Sequence, residues 1–368
     1  MRKKFAWGLV FVVLSLLVTG CSAELPQNTF DPAGPTAQAE KDLIVPVLWV
    51  ALAVFILVEG GILAISIRYR HRKGRDRMPA QIHGNTRLEI GWTIAPALIL
   101  ALVMVPTVSL IWELDAKPAD AMHVTVRGYQ WWWGFEYTDP DMTVSYGGAG
   151  PIIAADTLVI PVGRTVELDL RSAGGGARNT DGTADFQVIH SFWAPRLFGK
   201  QDAVPGQSGH IVFSADVAGT YWGQCAEFCG LQHGRMKFRI VALGETDWQA
   251  WVANQKSPAV TPTDDLAAKG MDLFLNGAGT GQCIACHAIG GTAAAGTAAP
   301  DLTHFAATTH ECFAGCNWDT YADGAPNLDA LKAWLRDPNA AKLGAKMPDY
   351  QLSDEEIEAL AAYLYSLT

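Results

Sequence analysis

Gly223-Gln224-Cys225-Ala226-Glu227-Phe228-Cys229-Gly230-Leu231-Gln232-His233-Gly234-Arg235-Met236 gathers two thiols, an imidazole and a thioether in one short stretch. The steps from Cys225 to Cys229, His233 and Met236 are four, four and three residues, so one loop can wrap them around a single point. A second imidazole, His190 in His190-Ser191-Phe192-Trp193-Ala194-Pro195, comes from a separate run. Thiolates and imidazoles with a weak thioether are the donors of copper electron-transfer centres, and zinc does not normally recruit a methionine. A mononuclear blue-copper site needs one cysteine; two cysteines with two histidines bridge a pair of copper ions that share one unpaired electron. The competing reading is a Cys225–Cys229 disulfide beside unrelated histidines.

Around this stretch, from Met122 to Leu243, short alternating runs such as Val166-Glu167-Leu168-Asp169-Leu170 are separated by Gly, Pro and Asp. That pattern predicts an all-β sandwich or barrel, placed at residues 120–243. Beyond it, residues 244–263 are polar, with Pro258 and Pro262, and read as a semi-rigid tether. A further domain is expected over 264–368. Helices are predicted from Asp264 to Asn276 and from Ser353 to Ser366, the latter opening with Ser353 and Glu356 as a capping box. Between them stands Cys283-Ile284-Ala285-Cys286-His287. Its thiols suit covalent attachment to haem vinyl groups and its histidine suits the iron, which makes this a haem c site. Met347, in Lys346-Met347-Pro348, is the one methionine after that motif and the expected distal ligand; His304 and His310 are the alternatives.

Toward the N-terminus, Arg2, Lys3 and Lys4 precede an apolar run to Val18, and Leu17-Val18-Thr19-Gly20-Cys21 resembles a bacterial lipobox. Residues 1–20 are therefore expected to be a lipoprotein signal peptide, Cys21 the lipidated residue and 21–42 an external linker. Leu43–Ile67 and Ile90–Trp112 are each long and apolar enough to cross a bilayer, giving a transmembrane hairpin over 43–112. Its loop, 68–89, carries Arg68, Arg70, Arg72, Lys73, Arg75, Arg77 and Arg87 against Asp76. Such an excess of positive charge marks the cytoplasmic side and puts everything after the second span outside, where disulfides are permissible. Glu59 lies within the first span and reads as a snorkelling acid or one at a subunit contact. Glu89 opens the second span, where a carboxylate complements the helix dipole.

The quoted copper stretch, His190–Pro195 and Lys200-Gln201-Asp202-Ala203-Val204-Pro205-Gly206 resemble subunit II of haem-copper cytochrome c oxidases, and the likeness runs over roughly residues 43–243. The resemblance implies a cupredoxin domain with a binuclear CuA centre. In it Cys225 and Cys229 bridge, His190 and His233 each bind one copper, Met236 is a weak ligand and Glu227 contributes its backbone carbonyl. It also implies that the Glu227 carboxylate reaches a magnesium ion at the interface with subunit I. Trp131, in Gly128-Tyr129-Gln130-Trp131-Trp132-Trp133, is similar to the residue where electrons arrive from an external cytochrome, and Glu89 to the acid at the mouth of a proton pathway. The stretch 264–368 resembles a class I cytochrome c, with Pro300-Asp301-Leu302 similar to the segment against the proximal histidine. Cys312 and Cys316 fall outside these likenesses, and their spacing and compartment favour a local disulfide.

The implied whole is a multidomain membrane protein: a two-helix transmembrane hairpin, an all-β cupredoxin domain and an all-α class I cytochrome c domain. It reads as subunit II of a terminal caa3-type oxidase in a bacterial cell membrane. Its partners would be subunit I, the other oxidase subunits and an external cytochrome c or other donor. With 27 basic against 37 acidic residues, a nucleic-acid role is excluded. From residue 264 onward there are 14 acidic and 5 basic side chains, which would steer a basic donor to this domain. No histidine lies in either span, so oxygen would be reduced in the partner subunit. The alternatives are the electron-input subunit of a related nitric oxide reductase and a membrane-tethered copper storage or delivery protein.

Overall fold

The computed structural model describes residues 25–70, 81, 83–144, 146, 150–173, 187–307 and 311–368. The leader, Cys21, the middle of the basic loop and His310 lie outside the described residues. The chain divides into two compact units, one spanning Gln38–Ala116 and the other combining Met1–Ala37 with Lys117–Thr368.

Two long helices, α1 (Pro35–Tyr69) and α2 (Thr86–Leu114), make up most of the first unit. They run past the apolar spans read from the sequence because their polar flanks remain helical. α2 starts at Asn85, whose side chain accepts from the amides of Arg87 and Leu88. Their apolar side chains are bared, Leu57 and Leu102 each to 75%. Water would penalise that surface, whereas two such helices fit membrane anchoring.

In the second unit, eleven strands build a sandwich. They are β1 (Met122–Tyr129), β2 (Trp132–Tyr137), β3 (Thr143–Val144), β4 (Gly150–Ala155), β5 (Thr157–Pro161), β6 (Val166–Ser172), β7 (His190–Trp193), β8 (Gln201–Ala203), β9 (Gly209–Phe213), β10 (Gly219–Cys225) and β11 (Lys237–Leu243). One sheet has the order β3-β4-β2-β1-β6-β9, the other β5-β11-β10-β7-β8. The alternation seen in the sequence sets the faces: in β6, Val166, Leu168 and Leu170 are buried while Glu167 and Asp169 are not. Trp133, Phe135, Phe192, Phe198 and Phe238 fill the space between the sheets. Gly223 is required there, because a Cβ would stand 2.1 Å from the Phe238 ring, itself stacked on Phe192.

Two stretches read as linkers are partly structured. Residues 245–255 of the presumed tether form helix α3 (Glu245–Gln255). Trp248 and Trp251 share one face of it at helical spacing and are buried in the sandwich core, with Trp251 against Tyr137. Upstream, Ala33 is buried and its amide donates to the Arg196 carbonyl.

The C-terminal region is built on helices, as expected, but is not purely α: Cys312–Phe313 pairs with Trp318–Asp319 and Tyr321–Ala322 with Ala325–Pro326 as short antiparallel ladders. α4 (Asp265–Asn276) is capped by Asp264, and the Asp354–Ser366 helix is opened by the Ser353/Glu356 capping box. These two helices touch where Gly270 brings α4 onto the Ala359 carbonyl. Between them come α5 (Leu328–Arg336) and the short α6 (Pro338–Ala341), making the Asp354–Ser366 helix α7.

Candidate metal centre

β7 supplies His190, the end of β10 supplies Cys225, and the turn into a short 3₁₀ segment at His233–Arg235 brings in the remaining donors. The backbone holds this turn closed: the Cys225 amide donates to Met236 O and the Ala226 amide to Ser191 O. His190 Nδ1 lies 3.8 Å from Cys225 Sγ, His233 Nδ1 3.8 Å from Cys229 Sγ, and Met236 Sδ 3.8 Å from Cys229 Sγ. The two sulfurs are 3.8 Å apart, far beyond a disulfide bond of about 2.05 Å. The Glu227 carbonyl stands 3.2 Å from Cys225 Sγ. His190, Cys225, Cys229 and Met236 are all buried.

This donor set fits a metal. First-row ions bind imidazole nitrogen at about 2.0 Å and thiolate at about 2.3 Å, so one ion can join each nitrogen–sulfur pair across such a gap. His190 Nε2 is buried without a hydrogen-bond partner, which leaves Nδ1 facing the sulfurs as the ring's working end. The contact between the two thiols pulls Cys225 below its ordinary value, while the same contact and burial push Cys229 up. A bound cation would take both sulfurs as thiolates.

In the C-terminal region a cavity of about 800 Å³ is lined by Cys283, Cys286, His287 and Met347, a size suited to a large cofactor. His287 Nδ1 is 2.8 Å from the Pro300 carbonyl, to which it donates, leaving Nε2 for a ligand. Burial lowers the His287 pKa, against that hydrogen bond, so the ring is neutral and able to coordinate. His304 is engaged elsewhere: its ring nitrogens lie 3.4 and 3.1 Å from the carbonyls of Thr368 and Ser257.

The sandwich and the cavity meet at Trp131. The indole Nε1 donates to Cys229 O at 3.1 Å, as does Gln130 Nε2 at 2.7 Å. The same ring lines the cavity. Cys312 and Cys316 are joined by a disulfide whose loop sits on Asp156, with the Gly315 amide donating to Asp156 Oδ2 at 2.8 Å. Asp156 Oδ1 accepts from the Trp133 amide at 3.0 Å. Burial raises Asp156 to about 6, against the amides of Trp133, Gly315 and Cys316 and the Lys342 ammonium. Lys342 is itself pushed down to about 8 by burial. Arg239, which stacks on Trp222, forms a short ion pair with Asp319. Asp156, Lys342 and Gly344 were not among the residues singled out in the sequence; no local motif marks them.

The two acids assigned roles by likeness have local partners. Glu89 Oε1 accepts the Asn85 amide at 3.1 Å, closing the start of α2, and Glu227 Oε1 accepts the Phe228 amide at 3.2 Å.

Residues 122–243 match the family described as Cytochrome C oxidase subunit II, periplasmic domain, and residues 23–110 its transmembrane domain. Residues 267–368 match Cytochrome c. The chain is 37% identical to the cytochrome c oxidase subunit 2 of Alkalihalophilus pseudofirmus, over 96% of this chain and 94% of the relative. It is 31% identical to the protein of that name from Bacillus subtilis, over 100% and 99% of the two chains. The counterpart from Bacillus sp. is 33% identical over 97% and 96%.

Proposed function

We propose an electron-input role in a caa3-type oxidase for this chain, which belongs to the cytochrome c oxidase subunit 2 family and carries a cytochrome c domain at its C-terminus. The observation that carries the reading is the convergence of His190, Cys225, Cys229, His233 and Met236 around two sulfurs 3.8 Å apart. These residues, with the Glu227 carbonyl, would hold the copper pair. Cys283 and Cys286 would bind the haem covalently, and His287 and Met347 would supply ligands to its iron. When bound, these groups supply one-electron carriers whose change of charge calls for little rearrangement in a rigid, dry cage.

The chain's own residues do the rest. Phe192, Trp133 and Phe238 pack around the copper loop and keep water from it. Pro300 fixes the tautomer of His287, and Trp131 holds the Cys229 carbonyl. The chain passes electrons from an external donor toward subunit I, where oxygen is reduced to water. The Glu227 carboxylate would meet magnesium at the subunit I interface, and Glu89 would stand at a proton-pathway mouth. The domain limits 43–112, 120–243 and 264–368, lipidation at Cys21, and placement of the two large domains outside a bacterial cell membrane belong to the same reading.

Replacing Cys225 with Ser tests it. The mixed-valence copper absorption in the near infrared should vanish while the haem c spectrum stays; a persisting copper band contradicts the bridging role.

A further inference from the structure

Trp131 is covered by the chain's own C-terminal region. The residue is only 8% exposed, and a Cβ on Gly344 would approach its ring to 3.5 Å. Gly344 has φ +80°, so glycine serves there both for its backbone conformation and for its lack of bulk. Next to it Gln232 Nε2 donates to the Leu343 carbonyl. A protein donor arriving from solution would find this ring already occupied.

Lys342 is the charged group at the centre of that contact. Its Nζ donates to Trp131 O at 2.7 Å and to Ala314 O at 2.8 Å, and the residue is 3% exposed. Asp156 provides the countercharge and also holds the disulfide loop through Gly315. A buried ammonium persists only where acceptors and an opposite charge await it. Here they come from both sides of the contact: Trp131 and Asp156 from the sandwich, Ala314 from the C-terminal region.

We propose that Lys342 is a positioning residue that seats the haem-bearing region on Trp131, making this tryptophan an internal relay between the chain's two redox sites instead of a landing site for an external donor. Each transfer then moves one electron from reduced haem c to the oxidised copper pair, with no proton or bond exchanged, and the external donor must deliver at the haem side. The proposal rests on the ligand assignments above. Electronic coupling falls steeply as the gap between redox groups widens, so loosening this contact slows the internal step.

The test is photoreduction of haem c in the purified oxidase complex, following its reoxidation together with bleaching of the copper band. Lys342→Met should slow this transfer by roughly tenfold or more, by analogy with the cost of small misplacements, with both resting spectra unchanged. Lys342→Arg, which keeps the cation, should restore most of the rate. Wild-type speed in Lys342→Met with intact spectra overturns the proposal. If that variant fails to load copper or haem, Gly344→Asn decides: it tolerates positive φ but wedges a side chain against Leu231 and Trp131. Slow transfer supports the proposal and unchanged transfer overturns it. Absence of either spectrum from the wild-type chain would instead defeat the ligand assignment.

Discussion

Asp156→Asn isolates the charge at the contact between the sandwich and the C-terminal region. Asparagine keeps the size of the side chain and tolerates the φ of 59° found at this position. Two consequences can be worked out. One of the amide donors, Trp133, Gly315 or Cys316, loses its acceptor, which costs about 1–3 kcal/mol for a buried group. Lys342 also loses its countercharge. That cost has a ceiling, because the ammonium can shed its proton. With its pKa about 8, deprotonation at pH 7 costs about 1.4 kcal/mol, one unit's worth. These losses come to about 2–4 kcal/mol. Against them stands the burial penalty that raises the carboxyl from 3.8 to about 6, worth about 3 kcal/mol, which the uncharged amide no longer carries. The two nearly cancel, so at 1.4 kcal/mol per decade local opening at pH 7 should change by no more than about fivefold in either direction. Amide hydrogen exchange on the intact chain reads this at Gly315 and Trp133. A change of protection beyond about 30-fold, roughly 2 kcal/mol, at both amides would refute the reasoning.

The same contact should respond to pH. Burial raises Glu311 from its ordinary 4.5 to about 8, against Thr157 and Arg239, and raises Asp156 from 3.8 to about 6. The folded unit therefore binds these protons more tightly than the opened one, and stability falls as pH rises to about 8. Lys342, lowered from 10.5 to about 8, reverses the trend above that point. Exchange protection of residues 311–319 should accordingly be higher at pH 6 than at pH 8, and the opposite order would contradict the burial of these groups. Met347→Ala should lower the haem potential by removing a thioether ligand; an unchanged potential in a redox titration would exclude Met347 as ligand. Gly223→Ala should prevent sandwich formation, since its Cβ would collide with the Phe238 ring at 2.1 Å. Soluble, copper-loaded expression at the wild-type level would count against the described core.

The clustering of donors was legible in the sequence where they are close along the chain, as in Cys283-Ile284-Ala285-Cys286-His287, whereas Met347 comes from far downstream. Cys225, Cys229, His233 and Met236 sit on one turn, and only His190 needs the sheet to bring it in, through the pairing of β7 with β10. The sandwich and the two long apolar helices were legible from periodicity and length. The α3 helix was missed because its polar composition and nearby prolines outweighed the paired Trp248 and Trp251. The Lys342 contact joins residues 211 positions apart. Neither local propensity nor residue spacing encodes how surfaces from distant stretches of the chain meet, so only coordinates reveal that Lys342 reaches Trp131.

The central claim is that the Cys225–Met236 turn and His190 enclose two copper ions. Copper and haem content together with the paramagnetic resonance spectrum of the purified full chain test it most directly. Two coppers per haem c, with one unpaired electron split equally between the copper nuclei, is the predicted result. A single copper with a one-nucleus signal, or a metal-free chain in which Cys225 and Cys229 are oxidised to each other, would contradict it.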